Sequence, residues 1–343
     1  MMWIRRAKLA AGIVAVTLAV AATAMILLWR DRPELFSDAW EAAVPADAAA
    51  ADTVTVTWLG VTTLLFDDGE TQILIDGFFS RPSLADIILD RPVANDAATI
   101  NYVLNEYGMR RLAAIIPTHS HFDHAMDVGS IANRSSASIL GSASTIAIAR
   151  GAGVPEDQIT LVSDGERYTF GRFDITLLPS THAPIGWRAA VPFAGRIEAP
   201  LKMPQPVSAF REGGSYTIVV AHPEGTAVVQ GSAGFPDRAL EDVPADVVLL
   251  GVGGLETLGR DYVTQYWQTL VTATGAHSVY PIHFDDFTRP FGEIVAAPRF
   301  LGDLEATAGL FTELRDRWDT NTKLVLPAFG VPMAIYVQPG PDT

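Results

Sequence analysis

The sequence predicts an α+β domain in which two β-sheets pack face to face with helices outside, joined to one N-terminal transmembrane helix. Three observations support this prediction. Short apolar runs of strand length recur in two groups along the chain. Helical patterns interrupt and follow each group, which is typical of a layered fold rather than of an all-β fold. A long uncharged segment near the N-terminus stands apart from both groups.

The N-terminal segment from Leu9 to Trp29 has 21 residues and no charge. At about 1.5 Å per helical residue it matches the roughly 30 Å hydrocarbon layer of a bilayer. Arg5, Arg6 and Lys8 precede it, and the chain soon turns acidic after it. The positive-inside rule therefore predicts a cytoplasmic N-terminus (1–8), a transmembrane signal anchor (9–29) and a domain on the extracytoplasmic side, periplasmic or cell-surface.

A cleaved signal peptide is the alternative interpretation of this segment. The apolar run is longer than the usual core of a signal peptide, and the small-residue stretch from Ala46 to Ala51 lies well beyond its end. An uncleaved anchor is therefore favoured. Residues 30–52 are rich in Ala, Asp and Pro and are interpreted as a linker, followed by one folded domain over residues 53–338.

Composition excludes several functional classes. The chain has 24 Lys and Arg against 39 Asp and Glu, with no long basic run, so it lacks the electrostatic footprint of a nucleic-acid-binding protein. It has no cysteine, which excludes disulfides, thiolate metal sites, a catalytic cysteine and lipidation of an N-terminal cysteine. Any metal ion must therefore be held by His, Asp or Glu.

The strand-like runs follow the domain from its start. The first ones are broken by Gly60 and by the turn signal Asp67-Asp68-Gly69, which predicts consecutive hairpin-like strands. The predicted strands are 54–59, 62–66, 72–75, 113–116, 173–178, 216–221, 226–229, 247–250, 278–282, 323–326 and 333–337. Helical periodicity predicts helices at 126–132, 144–149, 262–272 and 304–318.

Two apolar segments lie outside these elements. Residues 78–92 follow Asp76, and residues 183–214 contain five prolines among large apolar side chains. A segment as long as 183–214 is more often a functional cover than a plain connection. We hypothesise that both segments shape a hydrophobic pocket, against the simpler interpretation that they are well-packed surface loops.

The decisive motif is Thr118-His119-Ser120-His121-Phe122-Asp123-His124, which follows an apolar strand. Alternation along an extended chain places His119 and His121 on one side of the backbone. Asp123 and His124 follow where the chain turns toward a helix, so they can reach a neighbouring point. Three of the seven histidines fall in this window, and imidazole and carboxylate are the ligands that zinc binds when thiolates are absent. The motif therefore predicts a metal site.

This spacing, His-x-His-x-Asp-His at the end of a core strand, resembles the signature of the metallo-β-lactamase superfamily. The resemblance covers nearly the whole domain and implies a four-layer αββα sandwich. It implies His119, His121 and His182 as ligands of a first metal ion, and Asp123, His124 and His283 as ligands of a second. Asp76 matches the family's early aspartate, which does not bind the metal itself but supports the residues that do. Two zinc ions are the expected cofactor, with one ion, iron or manganese as alternatives.

One position departs from the family pattern. Most hydrolases of the family carry Gly-Asp-Thr between the third and last histidines, and that aspartate bridges the metals; this chain has Ser232 at the bridging position. The loss of an anion weakens the second metal ion. One subclass of the family also has serine there and keeps two zincs, so a dinuclear site is still expected.

Two further histidines need an interpretation. His222 ends a strand shortly before Gly231, and we predict that it lines the pocket in a catalytic or substrate-binding role, against an ordinary structural one. His277 opens a strand six residues before His283, and its parity does not favour a ligand. No role is assigned to it.

The resemblance implies a metal-dependent hydrolase. Two zincs sharing a water would lower its pKa toward 7 and supply hydroxide, which Asp123 would orient while also holding metal. An ester, lactone or phosphodiester bond suits this chemistry. The turn after His182 differs from that of the antibiotic-degrading branch, and Trp58-Leu59-Gly60 looks more like the branch with phospholipase-D-like and lactonase-like hydrolases, although Val61 replaces its usual histidine.

The membrane helix and the apolar segments favour a small-molecule or lipid-like, amphiphilic substrate. Two other functional classes remain open. An iron-dependent oxidoreductase would use the same ligands, and fold alone does not separate the two chemistries. A non-catalytic metal-binding protein would explain Ser232, although all six expected ligands are present.

Overall fold

The computed structural model of the protein describes residues 2–46 and 53–336. Its α-helices are α1 (Met2–Arg30), α2 (Leu84–Ile88), α3 (Ala97–Glu106), α4 (Phe122–Ala125), α5 (Val128–Ser135), α6 (Ala143–Gly151), α7 (Arg260–Trp267) and α8 (Leu304–Trp318). Its strands are β1 (Glu41–Ala42), β2 (Thr55–Trp58), β3 (Leu64–Asp67), β4 (Gln72–Ile75), β5 (Leu112–Ile116), β6 (Ser138–Gly141), β7 (Ile159–Leu161), β8 (Arg167–Phe170), β9 (Phe173–Ser180), β10 (Ser215–His222), β11 (Gly225–Gln230), β12 (Val247–Gly251), β13 (Ser278–Ile282), β14 (Lys323–Leu326) and β15 (Met333–Ala334).

The strands form two mixed sheets. The larger has the order β1-β14-β13-β12-β11-β10-β9-β8, and the smaller has the order β15-β2-β3-β4-β5-β6-β7. β4 to β7 run parallel in the smaller sheet, and β11 to β14 run parallel in the larger. The carboxyl ends of parallel neighbours meet at one edge of their sheet, which gathers the loops that follow them.

The two sheets pack face to face and helices cover their outer faces. Val56 and Phe66 of the smaller sheet share one buried cluster with Ile175 and Ile218 of the larger. A second cluster joins the outer face of the smaller sheet to α3, α5 and α6, and α7 and α8 add Tyr266 and Phe311 to the first. The predicted four-layer αββα sandwich is confirmed.

The central strands are apolar on both faces because each sheet is covered on both sides. β4 and β12 are buried at every residue. The helices beside them begin at side-chain caps, with Asp96 accepting hydrogen bonds at the start of α3, Ser142 at α6 and Asp303 at α8. These caps fix where each loop turns into its helix.

Several predicted elements match the structure to the residue. Strands 72–75, 278–282 and 323–326 and helix 304–318 are confirmed. The elements not predicted from the sequence are β1, β6, β7, β8, α2, α3 and α4. Most of these strands have only two to four residues, and α3 buries just Ile100 and Val103, so neither kind of element produces a strong hydrophobic period.

The chain after α1 differs from the predicted linker. Trp40 is buried in the core, with its ring 6.5 Å from that of Phe311. Glu41 and Ala42 pair with β14, and Pro45 bridges to Met333. Residues 31–46 therefore belong to the edge of the domain, because one buried aromatic side chain and strand pairing outweigh their polar composition. The rest of the predicted linker, 47–52, lies outside the described residues.

α1 is the one helix of the described residues that is long and apolar enough to cross a membrane. Its candidate span, Ala11–Arg30, has a mean hydropathy of 2.4 and no buried residue. Its C-terminal end is attached to the domain: the Arg299 N–H donates to the Asp31 carbonyl at 2.8 Å, and Arg32 pairs with Asp286 at 2.7 Å. The side chains of the span are therefore not buried, while its C-terminal end is attached to the domain.

Candidate metal centre

The centre is built where β4 and β5 end side by side. The backbone N–H of Asp76 donates to the Ile116 carbonyl at 3.0 Å, so the residue after β4 faces the motif that follows β5. The Asp76 carboxylate accepts hydrogen bonds from the Thr118 N–H at 2.6 Å and from its hydroxyl at 3.0 Å. This carboxylate therefore fixes the start of the loop that carries the histidines.

His119, His121 and His182 form the first group of ligand-type side chains. All three are buried, and their candidate ligand atoms lie within 4.8 Å of one another. The Nε2 of His119 and the Nδ1 of His121 face each other at 2.9 Å. His182 joins them from the loop after β9, with its ring centroid 4.9 Å from that of His119.

Hydrogen bonds outside the group orient two of these rings. The Nε2 of His121 donates to the Pro192 carbonyl at 2.8 Å, and the Nδ1 of His182 donates to the Ala183 carbonyl at 2.8 Å. Each ring therefore keeps its other nitrogen, with a free lone pair, toward the group. Burial lowers the pKa of His119 well below its usual value, and burial together with His121 lowers the pKa of His182 to about 3. Burial also lowers the pKa of His121, so all three imidazoles favour the neutral form that a metal ligand needs.

Asp123, His124 and His283 form the second group, also within 4.8 Å of one another. One Asp123 oxygen lies 3.5 Å from the Nε2 of His124 and 3.4 Å from the Nε2 of His283. Burial opposes ionisation of Asp123, but the charge of His124 and a hydrogen bond from His283 hold its pKa far below the usual range. The ring centroids of His119 and His124 are 3.9 Å apart, so the two groups of side chains are in direct contact.

Asp76 acts on the second group through His124. Its Oδ2 lies 2.6 Å from the Nδ1 of His124 in full burial. Burial alone would lower the pKa of His124, yet Asp76 and Asp123 raise it. A carboxylate in this position fixes the tautomer of the imidazole and leaves its Nε2 directed at the second group.

The backbone near the second group is strained at three non-glycine residues. Val61, Asp76 and His283 have φ values of 49°, 56° and 59°. Such left-handed residues cost of order 1–3 kcal/mol each and persist where surrounding contacts hold them. The His283 N–H donates to the Val61 carbonyl at 2.9 Å, which couples two of them at the edge of the second group.

The residues present fit a pair of metal ions. Two imidazole nitrogens on one tetrahedral zinc lie about 3.3 Å apart, close to the 2.9 Å between His119 and His121. The first group offers three neutral nitrogens, and the second offers one carboxylate and two nitrogens. Imidazole nitrogens suit zinc and iron, and the carboxylate of the second group also suits manganese.

Comparison with known proteins decides the family. The family model of the metallo-beta-lactamase superfamily matches residues 56–287. The chain belongs to this superfamily.

Relatives in the superfamily agree on the general activity. A UPF0173 metal-dependent hydrolase of Pyrobaculum aerophilum is 25% identical over 236 residues, covering 68% of this chain and 84% of the relative. One from Heliobacterium modesticaldum is 30% identical over 122 residues, covering 35% and 43%. The family and these relatives identify the chain as a metal-dependent hydrolase of the metallo-β-lactamase fold.

A solved structure supports the fold. It comes from a protein of Veillonella parvula described as a possible metal-dependent hydrolase, with a TM-score of 0.51 at 12% identity. The match covers 82% of this chain and 99% of the other. At this identity the likeness concerns the fold alone.

Ser232, which stands at the family's bridging position, organises the loop that carries His182. Its buried hydroxyl accepts long hydrogen bonds from the N–H groups of Ala183 at 3.4 Å and Gly234 at 3.2 Å. A Cβ added at the preceding Gly231 would come within 2.2 Å of the Thr118 hydroxyl. Glycine is therefore required where this loop approaches the motif, and serine keeps the turn at His182 closed.

His222 does not lie at the centre, and the catalytic role predicted for it is corrected. It ends β10, whereas the other end of this strand meets the motif through the hydrogen bond from the Tyr216 N–H to the Thr118 carbonyl. Its ring packs against Phe173 at 5.0 Å, and its Nε2 lies 3.5 Å from Asp68. Position at the end of a strand does not reveal which edge of the sheet that end occupies.

Two residues that contribute to the metal centre were not predicted from the sequence. Thr118 ties Asp76 to the loop, and its place beside His119 in the motif is the only signal that could have revealed it. Pro192 acts through a carbonyl, which leaves no trace in the side-chain pattern. Phe193 packs over His121 at 6.0 Å, so part of the segment 183–214 does cover the centre, as hypothesised.

Proposed function

We propose that the chain hydrolyses an ester, lactone or phosphodiester bond with the help of two zinc ions. The observation that carries this proposal is that two groups of three donor side chains lie next to each other, with the rings of His119 and His124 only 3.9 Å apart. The proposed ligands are His119, His121 and His182 for the first ion, and Asp123, His124 and His283 for the second.

The side chains divide the work. When bound, a zinc pair supplies a Lewis acid and lowers the pKa of a bound water toward 7. Asp123, ionised between His124 and His283, accepts a hydrogen bond from the attacking water and so orients it. Asp76 keeps His124 in the tautomer that presents Nε2. Ser232 has no part in proton transfer in this proposal.

Substrate approaches from the side of the second group. The side chain of His283 is 17% exposed and that of Asp123 is 11% exposed, whereas that of His124 is 1% exposed. The first group is closed over by Pro192 and Phe193. The scissile group therefore meets Asp123 and His283 first.

Metal content of the full-length protein tests the proposal. We expect about two zincs per chain after purification in detergent without chelators, and about one in His283→Ala, which removes one donor of the second group. His277→Ala is the matched control, because His277 is exposed at the start of β13, at the other end of that strand from His283.

Other metal contents point elsewhere. Iron, together with oxygen consumption, would support the oxidoreductase, and absence of metal would support a non-catalytic protein. Two zincs that persist in His283→Ala would overturn the ligand assignment. Loss of ester, lactone and phosphodiester hydrolysis in His121→Ala, at unchanged protein yield, completes the test.

We further propose that residues 9–29 remain as a membrane anchor and that the domain lies outside the cytoplasm. The support is the bare, apolar span in α1 and the basic residues that precede it. The attachment of residues 31–46 to the domain edge moves the proposed start of the domain from residue 53 to about residue 31.

A further inference from the structure

A cavity of about 630 Å³ lies between the end of α1, α2 and the chain after β13. This volume lies in the range of about 300–1,000 Å³ that small-molecule sites occupy. Its lining is almost wholly apolar and includes Met25, Trp29, Ile87, Ile88, Phe287 and Phe300. We call it the α1 cavity.

The acidic residues that border the α1 cavity direct their carboxylates elsewhere. Asp286 pairs with Arg32 at 2.7 Å, and Asp285 accepts a hydrogen bond from the Val61 N–H at 2.8 Å. The cavity therefore offers dispersion contacts and almost no polar partner, which suits a hydrocarbon chain and no charged group.

The α1 cavity opens at the level of the proposed bilayer. Trp29 and Arg30 end the candidate span, as residues at a membrane interface do. Met25 lies one turn, about 6 Å, deeper in the hydrocarbon. Exposed apolar side chains line the cavity on the domain side: Ile88, Phe300 and Leu301 are 69%, 45% and 50% exposed. Lipid tails are the apolar material available at that depth.

On the side of the chain after β13, the cavity lies one side chain away from the metal centre. Phe287 lines it, and the ring of Phe287 lies 6.2 Å from the ring of His283. His283 belongs to the more exposed donor group, where substrate is expected to enter. The side chain of Phe287 therefore separates the cavity from the second donor group.

We propose that the α1 cavity binds the acyl chain of a membrane lipid whose scissile group is presented to the metal centre. The inference rests on the proposed hydrolase function and on the proposed membrane span. For a substrate that enters from water, each methylene buried in such a site strengthens binding about fourfold. Long-chain substrates are thereby selected over short ones.

Photolabelling of the full-length protein tests the site directly. The protein is placed in nanodiscs that contain phosphatidylcholine with a diazirine in one acyl chain, and labelled peptides are mapped by mass spectrometry. We expect label on 84–88 and 297–301 as well as on α1. Ile88→Asp, at an exposed position, should lower the label on the domain at least tenfold, whereas Leu161→Asp, equally apolar and exposed on β7, should not.

Label confined to α1, or equal in both variants, would overturn the proposal. A parallel assay with nitrophenyl esters of two to sixteen carbons separates this inference from the function. Activity that rises with chain length, with the long-to-short ratio reduced at least tenfold in Ile88→Asp, supports both. Ester hydrolysis without label on the domain would overturn the lipid site and leave the proposed hydrolase function intact. Label on the domain without any hydrolysis would overturn the hydrolase function and leave the lipid site intact.

Discussion

Asp76 shows how one carboxylate controls a centre that it does not enter. It accepts from Thr118 with one oxygen and faces the Nδ1 of His124 with the other. The imidazole must therefore carry its proton on Nδ1, which frees Nε2 for a metal. Its left-handed backbone is one that Asp and Asn tolerate better than most residues.

Asp76→Asn should weaken the second metal about 10–100-fold without unfolding the chain. An amide NH₂ would face Nδ1 as a donor, so the proton moves to Nε2 and blocks coordination. Metal titration against a chelator measures the effect. Asp127→Asn, a second buried aspartate whose carboxylate accepts from Phe79 and Ser80 N–H groups, is the control for burial; an equal loss of metal there would sink the argument.

Substitution of His222, unlike that of Asp76, is expected to leave the metal centre unaffected. It lies about 20 Å along β10 from the end that meets the motif. His222→Gln should leave kcat/KM for any cleaved ester within about twofold, whereas His182→Gln should lower it by orders of magnitude through loss of a metal donor. A large and selective fall of kcat in His222→Gln would restore the role that sequence reasoning gave it.

At the scale of elements, α6 is shaped by the segment that crosses it. A Cβ on Gly151 would come within 2.0 Å of the Leu201 carbonyl, and the Leu201 N–H donates to the Ala147 carbonyl. Gly151→Ala should therefore destabilise the protein by roughly 1–3 kcal/mol despite the better helix propensity of alanine. Gly309 in α8 has no neighbour within 4 Å, so Gly309→Ala should stabilise by about 0.5–1 kcal/mol.

Thermal unfolding in detergent compares the two glycine variants under one protocol. Opposite shifts of Tm are expected, because helix propensity favours alanine at both positions and only Gly151 meets a backbone carbonyl. Equal stabilisation by both substitutions would mean that the segment 197–203 does not press on α6.

The turn between β3 and β4 makes stability depend on pH through Asp68. Burial opposes ionisation, but N–H groups of Thr71 and Glu70 and the guanidinium of Arg172 outweigh it and lower the pKa of Asp68. A folded pKa below the unfolded value of about 3.9 stabilises the fold above that value. The contribution is lost as pH falls through the folded pKa.

The difference in unfolding temperature between the wild type and Asp68→Asn should therefore be largest near neutral pH and shrink below about pH 4. Asp242→Asn, which removes an exposed carboxylate paired with Arg238, is the control and should shift Tm little at any pH. A difference for Asp68→Asn that stays constant down to about pH 3 would contradict the assignment.

Elements differ in how far sequence could predict them, and the reason is physical. β4 and β13 are nearly continuous buried apolar runs, and α8 buries one apolar face, so their sequences alone indicate these elements. β1 exists because Trp40 is buried nearby, which is a tertiary effect. The six donor residues were predictable from motif and resemblance. The contact of the Pro192 carbonyl with His121 and the distance between His222 and the metal centre depend on the tertiary fold, which the sequence pattern does not show.

At the scale of the whole molecule, ion pairs hold the domain against the end of α1. Arg32 pairs with Asp286, and Arg299 pairs with Asp303 at 2.6 Å and with Asp31 at 3.4 Å. Several charges in one network resist rotation better than an isolated surface pair. The network fixes which face of the domain lies beside the end of α1, and that face, which contains the α1 cavity, would meet the membrane under the proposed anchor.

The absence of cysteine makes the side of the membrane measurable with one added thiol. Leu161→Cys places a thiol at an exposed position of the domain, and Ala7→Cys places one before the span. With basic residues on the N-terminal side, an impermeant maleimide applied to intact cells should label Leu161→Cys and not Ala7→Cys, while both react after permeabilisation. The reverse pattern would put the domain in the cytoplasm, and recovery of Leu161→Cys in a soluble fraction, shortened at its N-terminus, would establish a cleaved signal peptide.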